Sequence, residues 1–446
     1  MRHFTVTGAA VAALIIAAMG AHAATKPAAP AKATKQVVTG PVATYWIDTT
    51  TASGMTLSGM GAKPSMGSIM KMMGGGGSVS HTMSLKLGSS QAASGDATGD
   101  HMPPPALNAG KDLPLYWKEV KTTYEPTTES DQPTEQHYDP PKGKILIFWG
   151  CGEHAPKNQP VVIDLSKLTD PNARMQMMKQ MMPTGISLDS VRPPSPQTSK
   201  SYGEWPNSKQ NGNKSLDGNS SLVGAHLIKA NYSPDINFTL DQSQDFMPPI
   251  DVTNNTKDAE GAVPLTWTAV PRSKGFIVTA FGGAQDTVVM WTSAQEQMGG
   301  MGFSPQYLTA HDVETLTARK ALLPGTATTC TVPAEVTGAA QGLLYGITAY
   351  GGDTSIAYPP RPSDPNTPWN IQWETKIRYR SAAGGMLGQN MGGMMGRDDS
   401  GEGASATSVS NSSNGQDAGN GKKKKGSLFG DMVKQGLKNA AGGLIP

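Results

Sequence analysis

Across residues 222–381, strand-like runs recur about every ten residues, each broken by a turn of Pro, Gly or Asn, and this rhythm limits the chain to a β-rich fold. The runs are 225–230, 236–240, 265–269, 276–281, 287–293, 343–350 and 371–380, most of them rich in β-branched and aromatic side chains. Composition supports the same reading. The chain has 52 Gly and 34 Pro, and only 16% of its residues are charged, against about 25% in an average soluble domain. Gly, Ser, Thr, Asn and Pro fill the difference, which favours turns and short strands over long helices.

The preceding residues, 37–191, carry the same signature with interruptions. Strands are expected at 42–48, 79–87, 113–120 and 144–149. The run from Val79 to Leu87 alternates apolar and polar residues, as a half-buried strand does. Ile145, Leu146, Ile147, Phe148 and Trp149 are continuously apolar, which predicts a strand covered on both faces. Two helices are expected between these strands. Over 64–73, Met66, Ile69, Met70 and Met73 share one helical face, and the glycines from Gly74 end the pattern. Over 170–182, Asp170 caps, Pro171 opens the first turn, and Met175, Met178 and Met182 form a stripe.

Residues 192–221 are rich in Pro, Ser and Asn and read as a linker between a first domain at 37–191 and a second at 222–381. Within the second, Pro264-Leu265-Thr266-Trp267 followed by the run from Phe276 to Phe281 resembles the B and C strands of fibronectin type III modules. The resemblance implies a sandwich and carries no function. The expected fold is therefore mainly β, with two β-sandwich-like domains of immunoglobulin or fibronectin type. One or two short Met-rich helices and disordered termini complete it.

The two ends carry the clearest addresses. Arg2 and His3 precede an apolar run from Val6 to Met19, and Ala21-His22-Ala23 follows it. This is the pattern of a signal peptide at 1–23, which predicts an exported protein of the periplasm, the cell envelope or the medium. Residues 24–36 form an Ala/Lys/Pro linker. Residues 382–421, Gly/Ser/Met-rich, are expected to be disordered. Residues 422–446 form a basic amphipathic tail. There Lys422, Lys423, Lys424 and Lys425 precede a stripe beginning with Leu428 and Phe429, suited to contact with a membrane surface or an envelope protein. No apolar stretch of the mature chain is long enough for a transmembrane helix. The formal net charge of +2 gives no reason to expect a nucleic-acid partner.

Chemistry is sparse. Most of the 24 methionines fall in clusters, and thioethers are soft ligands suited to Cu(I). Met66, Met70, Met73, Met386, Met391, Met394 and Met395 are the candidate metal ligands, with His81, His101 and His154 as additional imidazoles. The alternative role of such methionines is packing, because the side chain is unbranched and adaptable. Two cysteines, Cys151 and Cys330, are candidates for a disulfide that would close a loop of about 180 residues. Unpaired, Cys151 beside His154 at the end of an apolar strand is a candidate thiol nucleophile. No H-E-x-x-H, G-x-S-x-G, Walker or G-x-G-x-x-G pattern occurs. Ser68 to Lys71 fits S-x-x-K without its companion motifs, and Asp241 with Asp245 reads as a solvated turn.

The function expected from these features is an exported, non-catalytic cell-envelope protein acting as a binding or structural module. Its partners would be met through the tail and through rigid loops at 103–105 and 359–368. No catalytic residue and no cofactor is expected. A periplasmic Cu(I)-binding or metal-buffering protein is the first alternative, and a thiol-dependent enzyme at Cys151 and His154 the second.

Overall fold

The structure, a computed structural model, describes residues 36–54, 79–117, 143–172, 175, 188, 192–207, 215–284, 286–297 and 305–388. It is mainly β, with several sheets. Strands are numbered along the chain. The largest sheet has eleven of them, on the path β7 (Val161–Asp164), β6 (Lys144–Trp149), β15 (Thr287–Thr292), β14 (Gly275–Ala284), β18 (Gly342–Tyr358), β20 (Trp373–Met386), β2 (Ala43–Gly54), β3 (Ser80–Ser89) and β8 (Ser201–Trp205). Off this path, β16 (Leu323–Pro324) pairs with β14, and β9 (Ser215–Asp217) pairs with β3. A four-stranded sheet runs β11 (Ser233–Leu240), β10 (Gly224–Ala230), β4 (Gly99–Met102), β5 (Leu113–Leu115). A three-stranded sheet runs β12 (Val252–Asn254), β13 (Val263–Trp267), β17 (Thr329–Val332). Finally, β1 (Val38–Thr39) lies parallel to β19 (Trp369–Asn370).

Side-chain alternation explains the layering. On β3, His81, Met83, Leu85 and Leu87 are buried while the residues between them are less so. Met83, Leu85 and Leu87 join Tyr45 and Ile47 of β2, Phe276 and Val278 of β14, and Ile377 of β20 in one core. Ile228, Ile236, Leu265, Trp267 and Val332 of the smaller sheets enter the same core, so those sheets cover one face of the large sheet. The opposite face has its own clusters. Ile277 and Tyr350 pack with Val313 and Leu316 of the helix α1 (Ala310–Ala318). Ile145, Ile147 and Trp149 of β6 pack with Val288 and Ile163, whereas Phe148 turns to the main core. The continuously apolar run is thus covered on both faces.

Between these clusters the opposite face is polar and held by ions. Arg378 of β20 grips Asp48 of β2 with two hydrogen bonds of 2.6 and 2.8 Å. Its guanidinium lies 4.5 Å from the centroids of both Trp46 and Tyr307. A planar cation with its carboxylate satisfied and aromatic faces beside it is well matched to a partly buried position.

The strands do not divide at the expected linker. β8 and β9 lie inside 192–221 and pair with β3. Strands from 37–191 and from 222–381 alternate in the large sheet, through parallel pairing of β2 with β20 and of β6 with β15. The segments likened to fibronectin strands fall in two different sheets, β13 in the three-stranded one and β14 in the large one. Residues 382–386, expected to be disordered, belong to β20, which stays paired with β18 as far as Met386, and 389–421 lie outside the described residues. The helix expected at 64–73 and most of that expected at 170–182 lie outside the described residues. Two helices not foreseen are α1 and the short α2 (Ala334–Gly338). Thr309 caps α1 by accepting from the Asp312 backbone N–H, and Asp312 accepts from the Thr309 N–H in return.

Candidate functional site

Five strands of the large sheet end in one transverse row. The register places Tyr358 opposite Trp373, Trp373 opposite Ala43, Ala43 opposite Ser89 and Ser89 opposite Ser201. Neighbouring strands lie about 4.8 Å apart, so the row spans about 19 Å. The segments leaving this end form two surface features, one at each extremity of the row.

At the Ser201 extremity is a cleft of 380 Å³ whose lining includes Ala93, Ala97, Trp117, Ser199, Lys200 and Tyr202. Its walls are fixed. Ser201 Oγ accepts from the Ala93 N–H at 2.8 Å, and the Lys200 N–H donates to the Ser89 carbonyl at 2.8 Å. Asn231 ties down the 94–98 loop, donating to the Asp96 carbonyl at 2.8 Å and accepting from the Thr98 N–H at 3.1 Å. Trp117 meets Tyr202 edge-on at 6.1 Å. The Tyr202 hydroxyl donates to Glu204 at 2.6 Å. Burial first, and then this bond, raise the pKa of Tyr202 far above the ordinary phenol range.

At the Tyr358 extremity the chain forms a knot around the parallel pair β1 and β19. The Trp369 N–H donates to the Val37 carbonyl at 2.8 Å, and the Ile371 N–H to the Thr39 carbonyl at 2.9 Å. Gln36 donates to the Thr367 carbonyl and accepts from Arg361 Nε, each at 2.9 Å. The Arg361 guanidinium lies over Trp369, whose indole N–H donates to the Pro359 carbonyl at 2.9 Å. Asp364 organises the proline-rich turn by accepting from the Asn366 N–H, and that bond is the largest cause of its lowered pKa. Tyr358 stacks on the buried Trp373 at 5.6 Å. Val37, Val38 and Tyr358 remain 62%, 49% and 48% exposed, which leaves apolar surface on a fixed frame. This knot contains the 359–368 loop singled out in the sequence. In the 103–105 loop Pro104 is buried, Pro103 is half-buried, and the exposed Pro105 opens a single 3-10 turn.

The histidines considered as metal ligands are occupied elsewhere. His101 is wholly buried between the Tyr45 hydroxyl and His226, at 2.9 Å on each side. His226 Nε2 in turn lies 2.7 Å from the Leu222 carbonyl. That carbonyl only accepts, so His226 donates from Nε2 and accepts at Nδ1 from His101 Nε2, and Tyr45 donates to His101 Nδ1. Burial, reinforced by His226, holds the His101 pKa well below the ordinary imidazole value, and burial lowers that of His226. His81 stacks on Phe246 at 4.0 Å, with Nε2 3.0 Å from the Gly218 carbonyl and Nδ1 3.0 Å from the Thr51 hydroxyl. Burial lowers its pKa as well.

Cys151 and Cys330 are joined in a disulfide with their Cα atoms 5.3 Å apart. Cys151 therefore has no thiol to act as a nucleophile, which removes the physical basis of the thiol-enzyme alternative. Around the bond, the Gly152 N–H donates to the Thr331 carbonyl and the Ala334 N–H to the Glu153 carbonyl, both at 3.0 Å. His154 Nδ1 lies 3.2 Å from Glu335, which also accepts from the Ala155 N–H at 2.8 Å. This latter bond is the leading cause of the lowered Glu335 pKa. Together these contacts strap the end of β6 to β17 and α2.

Of the candidate metal ligands, Met386 lies within the described residues, half-buried at the end of β20 with its carbonyl accepting from Asn255 at 2.7 Å. Met66, Met70, Met73, Met391, Met394 and Met395 lie outside them, as do Lys422, Lys423, Lys424, Lys425, Leu428 and Phe429. Among the described residues no group of three or more His, Cys, Asp or Glu side chains is placed to hold a metal ion. None of their helices is long and apolar enough to cross a membrane. The cleft was missed in the sequence because Trp117, the 92–97 loop and Lys200 meet only through strand pairing. The chain matches no family model and no curated protein in sequence.

Proposed function

We propose that this chain is an exported, non-catalytic protein of the cell envelope that acts as a binding or structural module through the end of its large sheet. The observation that carries the reading is the exposure of Val37, Val38 and Tyr358 at the knot around β1 and β19. Apolar surface fixed in place by hydrogen bonds suits recognition, because little ordering remains to oppose association. The signal-like residues 1–23 support export, and the basic tail at 422–446 supports attachment to an envelope protein or membrane surface. The sandwich type expected for the fold is supported by smaller sheets that share a core with the large one.

Fractionation of cells expressing the full chain tests the proposal. The protein is expected in the envelope fraction, and a Val38→Asp/Tyr358→Ser variant is expected to move to the soluble exported fraction. Wild-type protein recovered free of the envelope, or an unchanged distribution of the variant, overturns it.

A second reading, Cu(I) handling by the methionine clusters, is favoured by Met386. It ends a paired strand five residues before Met391, so a soft-ligand run leaves the sheet from a fixed point. Anaerobic Cu(I) titration against a competing chelator is expected to show tight binding that is lost when Met386, Met391, Met394 and Met395 become Leu. Equal binding by that variant removes the reading.

A further inference from the structure

The row from Ser201 to Tyr358 bears a particular mixture of groups. A surface made for a protein partner usually has a continuous apolar centre. This row is instead buried at Trp373, Ala43, Ser89 and Ser201, and carries a partly exposed ring with hydrogen-bonding groups near it at each extremity. At one extremity, Trp117 stands in the cleft with the Ser199 hydroxyl and the Lys200 ammonium, and among the described residues neither of those two polar side chains is engaged in a hydrogen bond or ion pair. At the other, Tyr358 has one face stacked on Trp373 and remains half exposed, and Arg361 lies over Trp369 in the same knot.

A pyranose ring combines an apolar C–H face with a rim of hydroxyls. The face suits an aromatic ring or the alanine methyl groups that also line the cleft, and the rim suits Ser and Lys. The 380 Å³ cleft lies near the lower end of the size range of small-ligand sites, about 300–1,000 Å³, which is adequate for a sugar unit. Its walls are pinned by Asn231 and Ser201 before any ligand arrives, so little ordering cost opposes binding. The distance between the extremities, about 19 Å along the row, exceeds the reach of one sugar and suits a chain of them.

We propose that this end of the large sheet binds a linear polysaccharide, with one sugar ring in the cleft against Trp117 and another, several units along the same chain, against Tyr358. The proposal rests on the reading of this sheet end as the partner surface and names the partner's chemical class. Two linked contacts make the second one intramolecular, so affinity rises once an oligomer is long enough to span them.

Calorimetric titration of the purified mature chain tests this with β-1,4-linked N-acetylglucosamine, β-1,4-linked glucose and α-1,4-linked galacturonic acid, each as dimer and hexamer. At least one hexamer is expected to bind saturably, and about tenfold or more tighter than its dimer. Trp117→Ala and Lys200→Glu are expected to weaken both lengths. Tyr358→Ser is expected to bring the hexamer down towards the dimer and leave the dimer unchanged. Variants are compared only where circular dichroism melting matches wild type, and Lys200→Glu, at an exposed position, keeps the test open if Trp117→Ala fails to fold.

Absence of saturable binding by all three hexamers overturns the proposal. Equal affinity of dimer and hexamer, or unchanged binding by both folded cleft variants, does the same. If envelope retention depends on Val38 and Tyr358 while no oligosaccharide binds, the sugar proposal alone falls. If retention is independent of them, the partner-surface reading falls.

Discussion

Tyr45, His101 and His226 have three protons for three hydrogen bonds ending on the Leu222 carbonyl, so the chain is complete only when all three side chains are neutral. Burial lowers both imidazole pKa values and raises that of Tyr45 well above its ordinary one. Below the ordinary imidazole value of 6.5 the unfolded chain takes up protons that the fold resists, and above the ordinary phenol value of 10.0 it releases one that the fold retains. Stability is therefore expected to be greatest between these limits and to fall on either side, read as the urea midpoint against pH. A variant with both imidazoles replaced by apolar residues should lose part of the acid slope, and an unchanged slope would refute the assignment. His101→Phe strands the Tyr45 hydroxyl and His226 Nδ1, at a cost of about 2–4 kcal/mol, whereas Tyr45→Phe strands one acceptor and costs about 1–2 kcal/mol, both measurable by urea unfolding. Sequence marks His101 as a capable ligand. Its partners are 56 and 125 residues away, so no local pattern shows that both ring nitrogens are already engaged.

At the scale of elements, strands were legible where alternation is local and obscured where close packing demands small side chains. β3 and β6 show their burial in their own residues, and β6 has the same bounds in the sequence reading and in the structure. The end of β20 reads as a tether because Ala382, Ala383, Gly384 and Gly385 lack bulk, yet they pair with β18 on one side and, as far as Gly384, with β2 on the other. Their smallness reflects contact. Gly54 has φ +65°, and a Cβ there would stand 2.5 Å from the Gly384 carbonyl oxygen. Gly54→Ala should destabilise by at least about 1 kcal/mol in urea unfolding, and a neutral result would show that the strand ends part freely. The disulfide acts on two elements equally remote in sequence. Chain-entropy reasoning for a loop of this length gives about 5 kcal/mol, while disulfides commonly contribute 2–4 kcal/mol. Replacing Cys151 and Cys330 together by Ser is expected to lower the unfolding free energy within that latter range, with the strap of Gly152, Ala155 and Ala334 hydrogen bonds preserving the native spectrum. An unchanged urea midpoint would locate the stability elsewhere.

For the whole molecule, strand pairing decides what folds with what. Linker-like composition at 192–221 suggested two bodies, but composition reports local conformation and carries no information on pairing between strands some 330 residues apart. In the large sheet β20 meets all twelve residues of β2, and β15 meets the six of β6. Tyr45, Ile47, Leu85 and Leu87 from the first half close the same core as Phe276, Val278, Ile347 and Ile377 from the second. A fragment spanning 222–381 would leave β20 with an open edge along that length and expose the core behind it, an arrangement prone to aggregation. That fragment is expected to show no cooperative thermal transition by near-ultraviolet circular dichroism. Chains cut within 208–214 should behave differently: pieces 36–207 and 215–388, produced together, are expected to copurify and melt in one transition, because the cut spares every pairing described between them. A fragment 222–381 that melts cooperatively by itself would restore the two-domain division and make the shared sheet a docking of finished parts.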